Sequence, residues 1–567
     1  MPQPTLLPTH NHPQERLSID SQDLHELYAA KLQSEQISLP ARVSNSMSSL
    51  FNRLPYSSSL RYPRRGDYEP LDSTSTPLTT PLPPTRRCIR RLRRIPYYLA
   101  IFCAIIAALA ALTFTFFPSY THPPAHYTAL REQVRNAPSP QSGRGNPHNE
   151  KVFIAASLYD PTGELAGGHW GASILELIDL LGEENVFLSV YENDSGDAGE
   201  TALSGLDDRV ACNKSLVFEH LDLDELPTIK IPDGAHRVKR ISYLAETRNR
   251  ALRPLENSSI TYDKLLYLND VAFDPLDALQ LLFSTNVNEH SGKAEYRAAC
   301  AVDFINPFKF YDTYATRDLE GFSMGVPFYP WFTDSGNGVS RRSVLAGSDA
   351  VPVRSCWGGM VAFDARFFQG RSASEAETKA GTETKTKMNP VAKPPLDLTT
   401  TTTTTPARFR ALNDTNLFWD ASECCLIHAD IQRPYHVDDN NNNNNPHSTG
   451  IYMNPFVRVA YDPRTLSWLG TTRRFEKLYF AIHNIVNHLV GLPWFNARRD
   501  EIPGKTYGDT VFVVPAGNGD EGAGSFVDVQ RVGRHDGFCG RPGLQVVQPR
   551  EEGGKGWLTV PMPVAEL

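Results

Sequence analysis

The sequence is short of net charge and lacks paired Cys-x-x-Cys spacing, and each shortage excludes something. Across 567 residues, 56 basic side chains stand against 64 acidic ones, a formal net charge of -8. No chain-wide basic field therefore points to nucleic acid as a partner. Eight cysteines are present, none at Cys-x-x-Cys spacing, so no structural zinc is assigned. The length suits two ordinary domains or one large domain with extensions. Hydrophobic residues make up 40%, but they are unevenly spread. The first 85 residues are rich in Pro, Ser and Thr, lack a sustained apolar period and read as disordered tail.

What is there begins with charge. Arg86, Arg87, Arg90, Arg91, Arg93 and Arg94 crowd into ten residues, and Tyr97 to Phe117 follows as an uncharged apolar run of 21. That run is long enough to cross a bilayer as a helix, with aromatic residues near both ends. The next basic residue is Arg131, so the positive-inside rule leaves residues 1–95 cytosolic, 96–118 as a single-pass type II anchor, and everything after it luminal. Four glycosylation sequons lie on the luminal side, at Asn193, Asn213, Asn257 and Asn413. Six cysteines share that side (Cys212, Cys300, Cys356, Cys424, Cys425, Cys539). In an oxidising lumen they allow 15 full pairings, which spacing leaves open.

Residues 119–150 read as a polar stem, 151–550 as the globular domain and 551–567 as a tail. The domain opens with KVFIAASLYD, a strand ending at Asp160. A helix follows with apolar residues at Ile174, Leu175, Leu177, Ile178 and Leu181, then a second strand, NVFLSVYEND. Strand-helix-strand alternation predicts an α/β fold with a mostly parallel sheet. RVKRISYLAETRNRALRPL predicts a helix bearing Arg248 and Asn249. The strand LLYL then stops at Asn269-Asp270, and YRAACAVDF stops at Asp303. Asp160, Glu192 to Asp194, Asp270 and Asp303 thus end successive strands, where open α/β sheets bind their ligands.

KVFIAASLYD, RISYLAETRNRALRPL, YLNDVAF, AACAVDF, FYDTYATRDLEG, SCWGGMVAFDA, SECCLIHAD and NPFVRVAYD, in that order, resemble the fungal capsular (cryptococcal-type) α-1,3-mannosyltransferase family, glycosyltransferase family 69. The resemblance runs from Lys151 to Asp462 and continues more weakly through GFCGRPGLQVV. Two low-complexity inserts, 372–406 and 437–448 with its asparagine run, fall between the matched blocks. The resemblance implies a GT-A-like, Rossmann-type nucleotide-sugar transferase domain, a GDP-mannose donor, a mannose-containing glycan acceptor and a Golgi or other secretory-pathway membrane.

Sugar transfer from a nucleotide diphosphate needs charge neutralised on the departing diphosphate, which Mn2+ or Mg2+ held by carboxylates supplies. Asp270, with Asn269 beside it, is the ligand candidate. Asp270 is followed by Val271 and Ala272, so the usual Asp-x-Asp is not completed, which makes Asp303 an alternative. On the donor side the resemblance places Arg248, Asn249, Arg317 and Asp318; Arg248 suits bidentate phosphate contact. Asp312, Arg317 and Asp318 read equally well as a structural ion-pair loop. On the acceptor side it places Trp357, whose face suits a sugar, and Gly358 and Gly359, where backbone comes close. Glu423 is the expected carboxylate at the acceptor hydroxyl, with Asp303 as the second catalytic candidate. The altered Asp-x-Asp leaves two other readings open: a non-catalytic transferase-fold protein of polysaccharide assembly or export, and a transferase using another donor such as UDP-xylose.

Overall fold

In the computed structural model the described residues are 86–137, 142–256, 258–369, 405–433, 448–514, 524–549 and 555–563. The sequence-expected tail up to 85, Asn257, the asparagine run and all of the threonine-rich insert except residues 405 and 406 lie outside them. The chain falls into two units, divided at Ala107/Ala108.

Helix α1 (Arg86–Phe116) runs through that division. From Pro96 to Phe116 it is long and apolar enough to cross a membrane, and almost none of that stretch is buried in the protein.

After the end of α1 the second unit continues with α2 (Ala125–Asn136). β1 (Val152–Leu158), α3 (His169–Leu181), β2 (Val186–Asn193), α4 (Gly196–Asp207) and β3 (Asn213–Glu219) follow in strict alternation. A small hairpin, β4 (Thr228–Lys230) and β5 (His236–Val238), precedes α5 (Arg240–Glu256). Next come β6 (Lys264–Leu268), α6 (Pro275–Ser284), β7 (Ala298–Phe304), β8 (Arg317–Asp318), α7 (Val339–Ala346), β9 (Val351–Ser355) and β10 (Met360–Asp364). The last third holds β11 (Trp419–Asp420), α8 (Glu423–Ile431), β12 (Ile451–Ala460), α9 (Pro463–Thr472) and α10 (Lys477–Val490). It closes with β13 (Thr506–Val513), β14 (Ser525–Val532), β15 (Arg541–Pro542), β16 (Gln545–Pro549) and β17 (Lys555–Thr559).

Nine strands form the main sheet in the order β3-β2-β1-β6-β10-β7-β12-β9-β8. β3, β2, β1 and β6 pair in parallel, as do β7 and β12, while β10 lies antiparallel between β6 and β7. This is the mostly parallel α/β sheet expected from the alternation. β6 and β7 are buried along their whole length, as strands covered by layers on both faces must be. Side chains alternate between two cores. Phe153 and Tyr267 face one, Ile154, Leu266 and Leu268 the other, where α3 and α6 contribute Ile174, Leu177 and Leu279. Asp274-Pro275, a breaker in the sequence, starts α6: Asp274 accepts from the Leu276 amide at 2.9 Å and proline takes the first helical position.

Two boundaries shift. The expected stem is part of the domain, because α2 buries Tyr127 and Leu130, and the Tyr127 hydroxyl accepts from Asn454 Nδ2 at 2.6 Å. The expected tail supplies β17, which pairs with β16. Two disulfides join Cys300 to Cys356 and Cys425 to Cys539; Cys212 and Cys424 stay as buried thiols.

Candidate active site

The C-terminal strand ends do not share one task. At β1, Asp160 accepts from the amides of Leu165 and Ala166 at 2.9 and 3.0 Å and shapes the turn into α3. At β2, Glu192 is fully buried, and burial pushes its carboxyl up to about 7. The ends of β6 and β7 gather the remaining groups.

Asn269, just past β6, is the hub. Its Oδ1 accepts from Arg248 Nη1 at 3.0 Å and from Trp357 Nε1 at 3.2 Å. Its carbonyl accepts from Trp170 Nε1 at 3.1 Å, and its amide donates to Gly359 at 2.9 Å. Through these four bonds Asn269 locks the positions of α5, α3 and the turn entering β10. Arg248, on the inner face of α5, donates Nε to Glu423 Oε1 at 3.0 Å. Glu423 stands in the first turn of α8, whose cap is the Ser422 side chain accepting from the Cys424 amide. The guanidinium lies 4.5 Å from the Trp357 ring centre, 5.4 Å from Tyr267 and 5.7 Å from Phe409, an aromatic slot that keeps it planar and partly dehydrated. The Tyr267 hydroxyl sits between Ser157 Oγ and the Arg248 carbonyl, at 3.2 and 3.3 Å.

Counting hydrogen bonds leaves a remainder. Among the described residues, Arg248 Nη2 has no acceptor and Glu423 Oε2 has no donor. One cationic nitrogen and one anionic oxygen are therefore available at the same place, on side chains whose other atoms are held.

Next to them lies a carboxylate group. Asp303 is fully buried; its Oδ1 accepts from the Asp312 amide and its Oδ2 from the Tyr461 hydroxyl, both at 3.1 Å. Burial, and then the Asp312 charge, push the Asp303 carboxyl up to about 7. Asp312 is also raised, by burial first, and it feels both Glu423 and Arg248. Burial and the charges of Asp303, Asp270 and Asp312 raise the Tyr461 hydroxyl, which puts Asp270 in the same neighbourhood. Asp270 itself is half-buried. Its hard oxygens on an accessible side chain fit a divalent cation. Asp303, with both oxygens engaged, fits that role poorly.

Residues 151–430 match the family profile described as Cryptococcal mannosyltransferase 1. That match is consistent with a capsular mannosyltransferase family. No curated protein matches the chain. Solved structures that match include a mannosyltransferase from Pyrobaculum calidifontis in complex with GDP-Man and Mn2+, at 12% identity and a TM-score of 0.23. That match covers 47% of this chain and 56% of the other, so the chain spans little more than half the length of that relative.

The domain distributes the remaining sequence candidates unevenly. Asn249 binds the Phe409 backbone through both amide atoms, at 2.8 and 2.9 Å. Arg317 spends its guanidinium on the carbonyls of Tyr314, Thr316, Phe538 and Cys539. Asp318 accepts from the amides of Glu320 and Phe322, and burial lifts its carboxyl to about 7. Those contacts run to backbone groups, and among the described residues Arg317 forms no ion pair with Asp312 or Asp318. Trp357 is buried with its face toward Arg248. Gly358 and Gly359, at φ of +60° and +65°, are needed by the chain itself: a Cβ would meet the Ala301 carbonyl at 2.0 Å or the Val271 side chain at 2.6 Å.

Among the sequons, Asn213 and Asn413 are exposed. Asn193 departs from the expectation. It is buried at the end of β2, its amide donating to Tyr243 and Asp194 at 2.6 Å, so the folded domain presents no acceptor there. Sequence reading did not single out Tyr461, Tyr267 or Phe409. Tyr461 is the penultimate residue of the NPFVRVAYD block, directly before Asp462, the only signal it offered. Cys300, Cys356 and His428 also gather within 4.8 Å, but the two sulfurs bond each other, and a disulfide has no thiolate to offer a metal.

Proposed function

We propose that the domain transfers mannose from GDP-mannose onto a mannose-containing glycan acceptor, forming an α-1,3 linkage. It works on the luminal side of a Golgi or other secretory-pathway membrane, anchored by α1. The observation that carries the reading is the pair of unspent atoms, Arg248 Nη2 and Glu423 Oε2, at the C-terminal rim of the sheet. Arg248 donates to a diphosphate oxygen as negative charge grows on the leaving group. Glu423 accepts the proton of the acceptor hydroxyl as that oxygen attacks the sugar. Asn269 and Trp357 hold Arg248 in place throughout, so little reorganisation accompanies the reaction. Asp270 would hold a divalent cation, Mn2+ or Mg2+, which when bound neutralises diphosphate charge. Exposed Asn213 and Asn413 and the two disulfides support the luminal placement.

The test is a transfer assay on the full chain in detergent, with GDP-mannose or UDP-xylose as donor and a mannose oligosaccharide as acceptor. Mannosylated product whose linkage analysis gives α-1,3 is the expected result. Donor binding without transfer to any acceptor would turn the reading to a non-catalytic transferase-fold protein.

A further inference from the structure

Helix α10 is built inside out. His483 and Asn487, four residues apart and so on one face, are buried. Asn487 Oδ1 accepts from the Val326 amide at 2.7 Å, and Arg341 Nη1 reaches His483 Nδ1 at 3.0 Å. The opposite face carries Ile482, Ile485 and Leu489, exposed by 55%, 60% and 77%. Their spacing of three and four makes one stripe along the helix. A helix of a globular domain normally shows the reverse, and a contiguous apolar surface marks something that covers it. The helix sequence, KLYFAIHNIVNHLV, contains no acidic residue.

What covers the stripe is indicated at its N-terminal end. Half-buried Leu478 and then Phe475 continue it backward. The Phe475 ring lies 5.2 Å from that of Phe114, and the Arg474 guanidinium 4.8 Å from the same ring. Phe114 belongs to the last turn of α1, the membrane-length helix. Two residues after the apolar run, Ser119 Oγ donates to the Arg473 carbonyl at 2.9 Å and to Glu476 Oε2 at 2.6 Å. The chain thus leaves its apolar span where α10 begins, and the outward stripe is continuous with the last turn of α1. Exposed Lys477 and partly exposed Arg474 stand at that junction, as basic residues do at lipid phosphates.

We infer that the outward face of α10 is a second membrane contact, lying in the interfacial zone of the bilayer that α1 crosses, with Ile482, Ile485 and Leu489 among the acyl chains. The inference rests on the reading of α1 as an anchor. With a 14-residue helix rising 1.5 Å per residue, the contact extends about 20 Å along the surface. A domain attached at two points cannot swing freely on its anchor.

The experiment reconstitutes the full chain into phosphatidylcholine vesicles carrying a photoreactive acyl chain, then maps lipid adducts by peptide mass spectrometry. Adducts are expected on residues 96–116 and also on 478–489. The triple variant Ile482→Gln, Ile485→Gln, Leu489→Gln is expected to keep the first set and lose the second, with its thermal unfolding unchanged. Adducts on 96–116 alone in the unaltered chain would overturn the second contact and leave the anchor standing. Adducts on neither would overturn the anchor as well. Chain-to-chain cross-links through the stripe, without lipid adducts there, would give the face to a second copy and likewise overturn the inference.

Discussion

Two buried arginine-glutamate pairs, built from the same chemistry, behave differently in this domain. Arg458 and Glu476 form one, Arg248 and Glu423 the other, and all four side chains are buried. Each guanidinium lies among three aromatic rings: Tyr120, Phe304 and Trp331 at 5.3 to 6.0 Å for Arg458, and Tyr267, Trp357 and Phe409 for Arg248. Arg458, however, spends every nitrogen. Nε donates to the Pro455 carbonyl, and Nη1 and Nη2 take the two Glu476 oxygens, one of which also accepts from Ser119. The Arg248 pair shares a single bond and keeps one atom unspent on each partner. A saturated pair can only hold structure together; one left partly open at a strand-end rim can engage a ligand. The difference comes from bonding inventory and position, since residue type and burial are the same.

The largest effect that would test this contrast is on the saturated pair. Glu476→Gln leaves Arg458 buried without its counter-charge, a loss on the order of 3–5 kcal/mol. The thermal unfolding midpoint of the detergent-solubilised chain should fall steeply, and activity should follow the folded fraction. Glu423→Gln should do the opposite. Turnover falls on the order of 100- to 10,000-fold while donor affinity changes little. The unfolding midpoint falls less than in Glu476→Gln, because Glu423 gives Arg248 one hydrogen bond where Glu476 gives Arg458 two. Equal loss of midpoint in both variants would break the comparison.

Asp270→Asn comes next, because its carboxylate lies at the rim but outside both pairs. Most transfer activity should be lost with the fold kept, and chelator should abolish activity in the unaltered chain until Mn2+ or Mg2+ is restored. Activity indifferent to chelator would remove the cation from the account.

Glu192→Gln sharpens the comparison from a different side, since among the described residues Glu192 is a buried carboxyl with no arginine partner. Its folded-state value, about 7, lies above the ordinary 4.5 because burial penalises the charge. A raised acid adds stability below its unfolded value and loses it as pH rises through the folded one. Between about pH 4.5 and 7 the unaltered domain should therefore lose stability through this group. Glu192→Gln should match it at pH 5 and exceed it at pH 8 by on the order of 2 kcal/mol. Urea unfolding at the two pH values measures this smallest effect; equal stability at pH 8 would show that Glu192 is not buried as an uncompensated charge.

Much of the fold was legible because it rests on local pattern. β1, β2, β6 and β7 appear as apolar runs stopped by acidic or amide residues, and the helices between them as 3.6-residue periodicity. Arg248, Asn269 and Glu423 could be named as candidates, yet nothing local indicated that Asn269 is the hub. Its partners Arg248 and Trp357 are 21 and 88 residues away. The same limit applies to Phe409, which reaches the site from beyond the threonine-rich insert, and to Asn193, whose sequon gives no sign that β2 buries it.

The sequence by itself determined the α/β alternation, the apolar span and the acidic strand ends, because backbone preference and burial period act over a few residues. Only the tertiary structure decided which carboxylates are spent and which disulfides form. It also decided which face of α10 turns inward. For α10, periodicity alone favours burying Ile482, Ile485 and Leu489. The fold instead buries His483 and Asn487, because Arg341 and Val326 supply the hydrogen bonds that make a polar face stable inside. Such partners come from distant parts of the chain, so the choice is made only when the domain closes.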